Sequence, residues 1–570
     1  MNRVVVRGGA PLRARAVVMM TSWSVLAGTT AFAQQPNSMS PPPVSQPAVQ
    51  RYTYHIELPD TGRRIVVSAL ARFSERPVVD TVAFDLDAAM HVSDVSFACE
   101  REDRPSGASY ERTLGQVRVA IPSLAGATAA RSGPPAQCIR IAYAGTPTDG
   151  LIIGTDSAGR WEAFGDNFPN RARHWLVSID HPSRKARVTF EIVAPAGRTV
   201  VANGALISTA PFGDGRVLTT WREDRAIPPY DMVIAAGPLV MTDLGKTACG
   251  LAEDGRCVPQ MVYTAPEQAK FMPGAFAHAG DIVEFFARTI GPYPYEKLAH
   301  LQSTTRYGGM ENASAIFYYD RAFRRANGVD DDLIAHETAH QWFGNAVTER
   351  EWAHLWLSEG FATFFAALWA QHAHGDSAYA TQMTRNRDAV LRAPEAATRA
   401  VIDSVETDPN RLLNTNSYQK GGLVLHMLRT ELGDSAFFGG LRRYFAEHRH
   451  GNAMTADLQL AEEAASGRDL RWFFDQWLRR PGWAELRTAW AWDQGTGRVT
   501  LMVDQGERFG TFRLSLPVDV IDASGVRSRV VVPVEASASQ SVVLPGRFDR
   551  APASAGCAQG ALMLAVCSAK

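Results

Sequence analysis

The sequence predicts a multidomain α+β protein: an all-β first region, a mostly helical middle and a small closing β-sandwich. Three observations carry this. At 570 residues the chain exceeds one ordinary core. Apolar residues alternate with period two over 51–244, then take up helical period after Val262. Past Trp483 the period-two alternation returns in four runs between 486 and 534. The implied divisions are 1–33, 34–50, 51–244, 245–483 and 484–570.

Residues 1–33 read as an export signal rather than as part of the fold. Arg3, Arg7, Arg13 and Arg15 form a basic start, 16–33 carry no charge, and Ala31-Phe32-Ala33 supplies a small-x-small cleavage site. The competing reading is an N-terminal anchor, since an uncharged stretch of that length nearly spans a bilayer. Thr, Ser and Gly dilute the stretch, which favours cleavage. The mature chain is then expected in the periplasm or outside the cell, with no remaining membrane span. Residues 34–50 are rich in Pro, Ser and Gln and read as a disordered spacer.

From Arg51 onward, short alternating runs such as 52–58, 64–73, 117–122 and 186–195 are punctuated by Gly, Pro and Asp, the pattern of an all-β domain. Long helical stretches follow at 276–290, 330–343, 355–371 and 418–432. The runs 486–493, 498–504, 511–520 and 528–534 predict the closing β-sandwich.

Composition narrows the function. Net charge is -1 from 58 basic and 59 acidic residues, with no Lys/Arg run, so nucleic acid is not an expected partner. Six cysteines, Cys99, Cys138, Cys249, Cys257, Cys557 and Cys567, lie outside any C-x-x-C pair. In an exported chain they suggest disulfides. Local pairs 99–138, 249–257 and 557–567 are the simplest assignment, and the connectivity stays open at this point.

The strongest local signal is His336-Glu337-Thr338-Ala339-His340, within a stretch that begins on three aspartates and contains no Pro or Gly before Gly344. Asp330 to Asp332 suit the start of a helix. On that helix, residues four apart differ by only about 40° around the axis, so both imidazoles address one point. Two neutral imidazoles suit Zn²⁺, whose catalytic sites take three protein ligands and keep one position open. Glu337 sits about 100° further round, placed to act on a water as general base. With 14 histidines in the chain, chance produces such a motif in roughly a few per cent of comparable sequences. Glu359 supplies the third ligand. It lies 19 positions past His340 in LWLSEGFATFF, where an isolated carboxylate is costly unless a cation meets it.

HETAHQWFGNAVT followed by WLSEGFA resembles the gluzincin aminopeptidases, the family of aminopeptidase N and leukotriene hydrolase. Gly308-Gly309-Met310-Glu311-Asn312 is similar to that family's G-x-M-E-N signature, and Tyr418 in SYQKGGLVLHML to its tyrosine-lysine-glycine segment. FFDQWLRRPGW at 473–483 extends the likeness. The resemblance implies a saddle-like N-terminal β domain, a thermolysin-like catalytic domain and one Zn²⁺ per chain. It further implies His336, His340 and Glu359 as ligands, Glu337 and Tyr418 as catalytic groups, and 308–312 as the substrate-binding segment. The expected activity is removal of N-terminal residues from peptides with a free amino terminus. The alternatives are a zinc endopeptidase or other hydrolase on the same scaffold, or a non-catalytic binding protein.

Four departures from the family pattern stand out. A second amine-binding glutamate common in the family falls here at Phe168, with Asp166 and Asn167 as the neighbouring candidates to replace it. Ser358 stands where asparagine is frequent, and Ala366 where glutamate often occurs. The large helical C-terminal domain of longer members is also expected to be missing, which would leave a more open cleft.

Overall fold

The computed structural model describes residues 46–99, 106–122, 137–323 and 329–569. The stretch read as an export signal and most of the stretch read as a spacer lie outside them. The first strand, Val49–Glu57, begins within the stretch read as spacer.

Alternation in the sequence becomes alternation of burial. Tyr52, Tyr54 and Ile56 point inward from Val49–Glu57, while Arg51, Thr53 and His55 are partly exposed. This strand lies inside an eight-stranded sheet, parallel to Ala186–Pro195 (Tyr54 opposite Phe190) and antiparallel to Ile65–Phe73 (Tyr54 opposite Ala69). Two smaller sheets complete the N-terminal β region. One has the order Thr199–Ala202, Ile234–Gly237, Trp161–Gly165 and Leu151–Thr155. The other has three strands around Gln116–Ala120.

The division drawn at 244 falls inside a strand. Val240–Lys246 pairs with Pro259–Thr264 and so opens the next region's five-stranded sheet. That sheet continues through Leu298–Ser303 and Ala315–Tyr319 to a short edge strand, Gly309–Met310. Period-two alternation alone does not reveal which sheet a strand joins, because partner choice is a long-range decision.

The helices then follow. Asp331–Ala339 is capped by the Asp330 carboxylate, which accepts from the Asp332 amide at 3.0 Å. Trp356–His374 is buried on almost every face, as its sequence demands, and ends at Gly375 with φ 85°. Gly421–Leu432 and Asp434–His448 pack against it, and Thr455–Ser466 packs on Asp434–His448.

A lysine joins the first region to the second. The buried Lys185 ammonium, from the turn before Ala186–Pro195, donates to the carbonyls of Asn345 (2.8 Å), Ala346 (2.9 Å) and Gly451 (3.0 Å). Asn345 and Ala346 belong to the loop after the Asp331–Ala339 helix, and Gly451 to the strand Gly451–Ala453 that pairs with Val347–Glu349.

The closing region is two sheets. One has the order Ser539–Val543, Arg498–Gln505, Ala484–Asp493 and Ala565–Ala569, the other Arg527–Val534, Leu514–Ile521 and Ser554–Cys557. The Cys557–Cys567 disulfide links the two sheets, and Cys99–Cys138 and Cys249–Cys257 close the other local pairs. Among the described residues no helix is long and apolar enough to cross a membrane.

Candidate metal centre

Two helices supply three donor atoms. His336 and His340 project from one face of Asp331–Ala339 and its last turn, and Glu359 from the first turn of Trp356–His374. The two Nε2 atoms lie 3.2 Å apart, and each is 3.4 Å from Glu359 Oε2. Donors held about 2.0–2.2 Å from a tetrahedral centre are roughly 3.3–3.6 Å apart, so this triangle is close to the size that one divalent ion needs. Two further observations agree. Glu359 Oε2 is buried with no hydrogen-bond partner, although it faces two nitrogens. His340 Nδ1 lies 3.2 Å from the Phe343 carbonyl, an acceptor only, so Nδ1 carries a proton and Nε2 is the atom turned to the triangle.

Close packing holds this tautomer. Ser358 Oγ is 3.0 Å from His340 Nδ1. Gly344, at φ 122°, passes so near that a side chain there would collide with Ser358 and His340. The family departure at Ser358 therefore still supplies an oxygen to the histidine.

Carboxylates surround the centre. Glu311 and Glu337 each bring an oxygen within 4.8 Å of one another and of a His340 nitrogen. Burial pushes the Glu311 carboxyl up to about 7 and the Glu337 carboxyl well above its ordinary value. Burial also raises Glu359, yet the two imidazoles prevail and hold it at about 2. Burial lowers His340, but Glu311 and Glu359 overcome it and raise the ring to about 10. Buried acids crowded in this way favour the arrival of a cation, which would let them ionise.

Glu337 rests directly on the Gly308–Asn312 segment, where a Cβ at Gly309 would overlap its carboxylate. Gly309–Met310 is the edge strand of its sheet, paired on one side only, through Gly309 opposite Tyr318 and Met310 opposite Phe317. The Glu311 backbone is fixed from behind, its carbonyl accepting from Gln341 Nε2 and Asn345 Nδ2, both at 2.7 Å. Asn312, the last residue of this segment, is fully buried.

Tyr418 closes the other side. Its ring stacks on His336 with centroids 6.0 Å apart, its hydroxyl meets Glu359, and burial raises its pKa well above the ordinary value. The phenol thus stays protonated and can donate.

The stretch at 164–182 behaves differently. Phe168 is buried, with its ring edge-on to Tyr230 (5.5 Å), Tyr307 (6.1 Å) and Trp352 (5.2 Å). Asn167 is consumed structurally, donating to the Met232 carbonyl at 2.7 Å and accepting from Trp175 at 2.8 Å. Asp166 is fully buried and accepts from Arg171 at 2.7 Å, while its second oxygen lies 3.7 Å from Arg306. Asp149 completes the network, bound by Arg171 at 2.8 Å and Arg306 at 2.9 Å. Sequence reasoning missed Arg171, Arg306 and Asp149, which lie far apart in the chain and carry no shared motif. The buried acids Asp231 and Glu349, whose carboxylate oxygens have no hydrogen-bond partners, were likewise missed, though Asp231, set among apolar residues, was a visible signal.

Comparison with known proteins agrees with this architecture. The Peptidase family M1 domain matches residues 275–477 and the Peptidase M1 N-terminal domain matches 139–230. Aminopeptidase N of Streptomyces lividans is 30% identical over 334 residues, 55% of this chain and 38% of that protein. The chain thus spans well under half the length of the curated relatives it matches. Among solved structures, Legionella pneumophila aminopeptidase A in complex with aspartic acid aligns with TM-score 0.75 and 18% identity over 91% of this chain and 59% of that one. The M1 zinc metallopeptidase of Deinococcus radiodurans aligns with TM-score 0.63 and 23% identity over 76% of this chain and 94% of that one. These two likenesses establish the shared fold. With one M1 domain over the N-terminal β region and another over the metal centre, together more than half of the sequence, the chain belongs to peptidase family M1.

Proposed function

We propose that this protein is a zinc-dependent aminopeptidase that releases one residue at a time from the free N-terminus of peptides. The observation that carries this is the His336, His340 and Glu359 triangle with the Glu311 and Glu337 carboxylates beside it. Zinc held by these three ligands would supply Lewis acidity and a water of lowered pKa. Glu337, buried and proton-hungry, takes the proton from the attacking water and delivers it to the departing amine. Tyr418 donates to the oxygen on which negative charge develops. Glu311 pairs with the substrate's α-ammonium in a desolvated setting, where a charge-assisted hydrogen bond is strongest. The edge strand Gly309–Met310 aligns the peptide backbone so that only the first peptide bond meets the attacking water.

The test compares free and N-acetylated aminoacyl amides, each with and without a chelator, alongside a zinc count per chain. Turnover of free amides only, abolished by chelation, with one zinc per chain supports the reading. Equal turnover of blocked substrates would point to an endopeptidase or another hydrolase.

An exported location, periplasmic or extracellular, is part of the same proposal. The basic start, uncharged stretch and Ala31-Phe32-Ala33 support it, as do three disulfides, which persist in oxidising compartments. Recovery of the native chain only from the cytoplasm, with free thiols, would reject it.

A further inference from the structure

Tyr418 does not sit on an ordinary helix. It occupies a five-residue π-helical turn, Asn416–Lys420, that runs directly into Gly421–Leu432. Such turns are rare and cluster at functional sites, because the wider coil costs regular hydrogen bonding.

Contacts on several sides hold this turn. Asn416 Nδ2 reaches the carbonyls of Arg399 (3.1 Å), Glu395 and Ala400 (both 3.3 Å). Ser417 donates to the Leu412 carbonyl at 2.6 Å. Gly421 lies backbone to backbone on Gly360, the residue after Glu359, where a Cβ on either would come within 3.0 Å of the other's Cα. Lys420 turns the opposite way and donates to the Gly482 carbonyl at 3.2 Å.

Lys420 is the costly member of the set. It is fully buried, and burial alone pushes its pKa down to about 7. An uncompensated buried cation destabilises a fold, so its presence is explained by what it holds. Its acceptor, Gly482, is itself gripped by the closing β region. Gly482 adopts φ 83°, and a side chain there would overlap the Phe509 ring. The neighbouring Arg480 donates to the Phe509 carbonyl at 2.7 Å and the Thr511 carbonyl at 3.2 Å, with its guanidinium 4.7 Å over the Phe512 ring.

We infer that Lys420 is a positioning residue through which the C-terminal β region sets the place of the Tyr418 hydroxyl over the metal centre. This rests on Tyr418 being the oxyanion donor of the proposed aminopeptidase. The C-terminal β region is then part of the active-site scaffold, although it supplies none of the metal-centre residues described above.

The test is a double-mutant cycle in the full-length zinc enzyme, on the aminoacyl p-nitroanilide that it turns over fastest. Lys420→Met is expected to lower kcat about tenfold or more, with KM and zinc content unchanged. Its melting temperature is not expected to fall, since the variant removes an unpaired buried charge. In a Tyr418→Phe background the same substitution should change kcat by less than about twofold. Arg480→Met, acting one link further away, should give a smaller loss that also vanishes without the tyrosine hydroxyl. It serves as the test if Lys420→Met does not fold. Wild-type kcat in Lys420→Met, or an equal loss in both backgrounds, overturns the inference. Tyr418→Phe turning over at the wild-type rate would instead sink the oxyanion role itself, whereas a crippled Tyr418→Phe beside a normal Lys420→Met sinks only the positioning.

Discussion

Around the metal centre, carboxylates stand close together with few cationic partners; in the stretch 149–171, Asp149 and Asp166 are met by arginine. Glu311 and Glu337 converge on His340 with burial raising both, whereas Asp149 and Asp166 are bound by Arg171 and Arg306. The first arrangement is costly unless a cation or ammonium joins it; the second is already neutralised. The difference teaches where ligand charge is wanted. It also separates two acidic sites that composition alone would treat alike.

The largest expected effect comes from the uncompensated side. Glu337→Gln should retain zinc and lose roughly 10²–10⁴-fold in kcat, read from steady-state rates beside metal analysis. Near-normal turnover would break the contrast at its centre. Next comes Glu311→Gln, expected to cost about 1.5–3 kcal/mol in kcat/KM for substrates with a free amine. Blocked substrates should be indifferent to it; an equal loss on both would assign Glu311 to something other than the ammonium.

The compensated side predicts changes in stability rather than in chemistry. Phe168→Glu places a carboxylate among three rings at a position 3% exposed, and should cost about 3 kcal/mol in thermal unfolding without improving KM. A lower KM at unchanged stability would show that the position is an amine subsite after all.

The smallest effect concerns pH. Burial raises the Asp149 carboxyl, but Arg171 and Arg306 pull it below its ordinary value of 3.8. A carboxyl depressed in the folded state contributes stability that is present above its unfolded pKa and lost as pH falls through the folded one. Asp149→Asn should therefore lower the melting temperature at neutral pH, by about 1 kcal/mol of stability, with the gap closing as pH drops below 3.8. A gap that persists in acid would mean that the residue acts through shape, not charge.

How much of this was legible in the chain depends on distance. His336 and His340 announce themselves because four residues are one helical turn, and Glu359 because a carboxylate in an aromatic run needs a partner. Helices at 330–343 and 355–371 were readable from period and capping, and the structure differs mainly at their ends. The strand Val240–Lys246 was assigned to the wrong side of a division because pairing partners are chosen in space. The last three strands of the closing region, short and largely exposed, carried too little alternation to be read. Asn167, a candidate for amine binding by sequence position, is occupied by Trp175 and Met232, which no local pattern could reveal.

By itself the sequence determined the alternation of β and helical regions and the donor set that one helical turn and one isolated carboxylate define. Those are properties of neighbours along the chain, fixed by backbone periodicity and by the cost of burying charge. Only the tertiary structure decided that Gly309 makes room for Glu337, that arginines neutralise Asp166 and Asp149, and that Lys420 ties the Tyr418 turn to a carbonyl 62 residues on. Each of these depends on which distant segments come to share one volume, and packing, unlike periodicity, has no signature in a single stretch of chain.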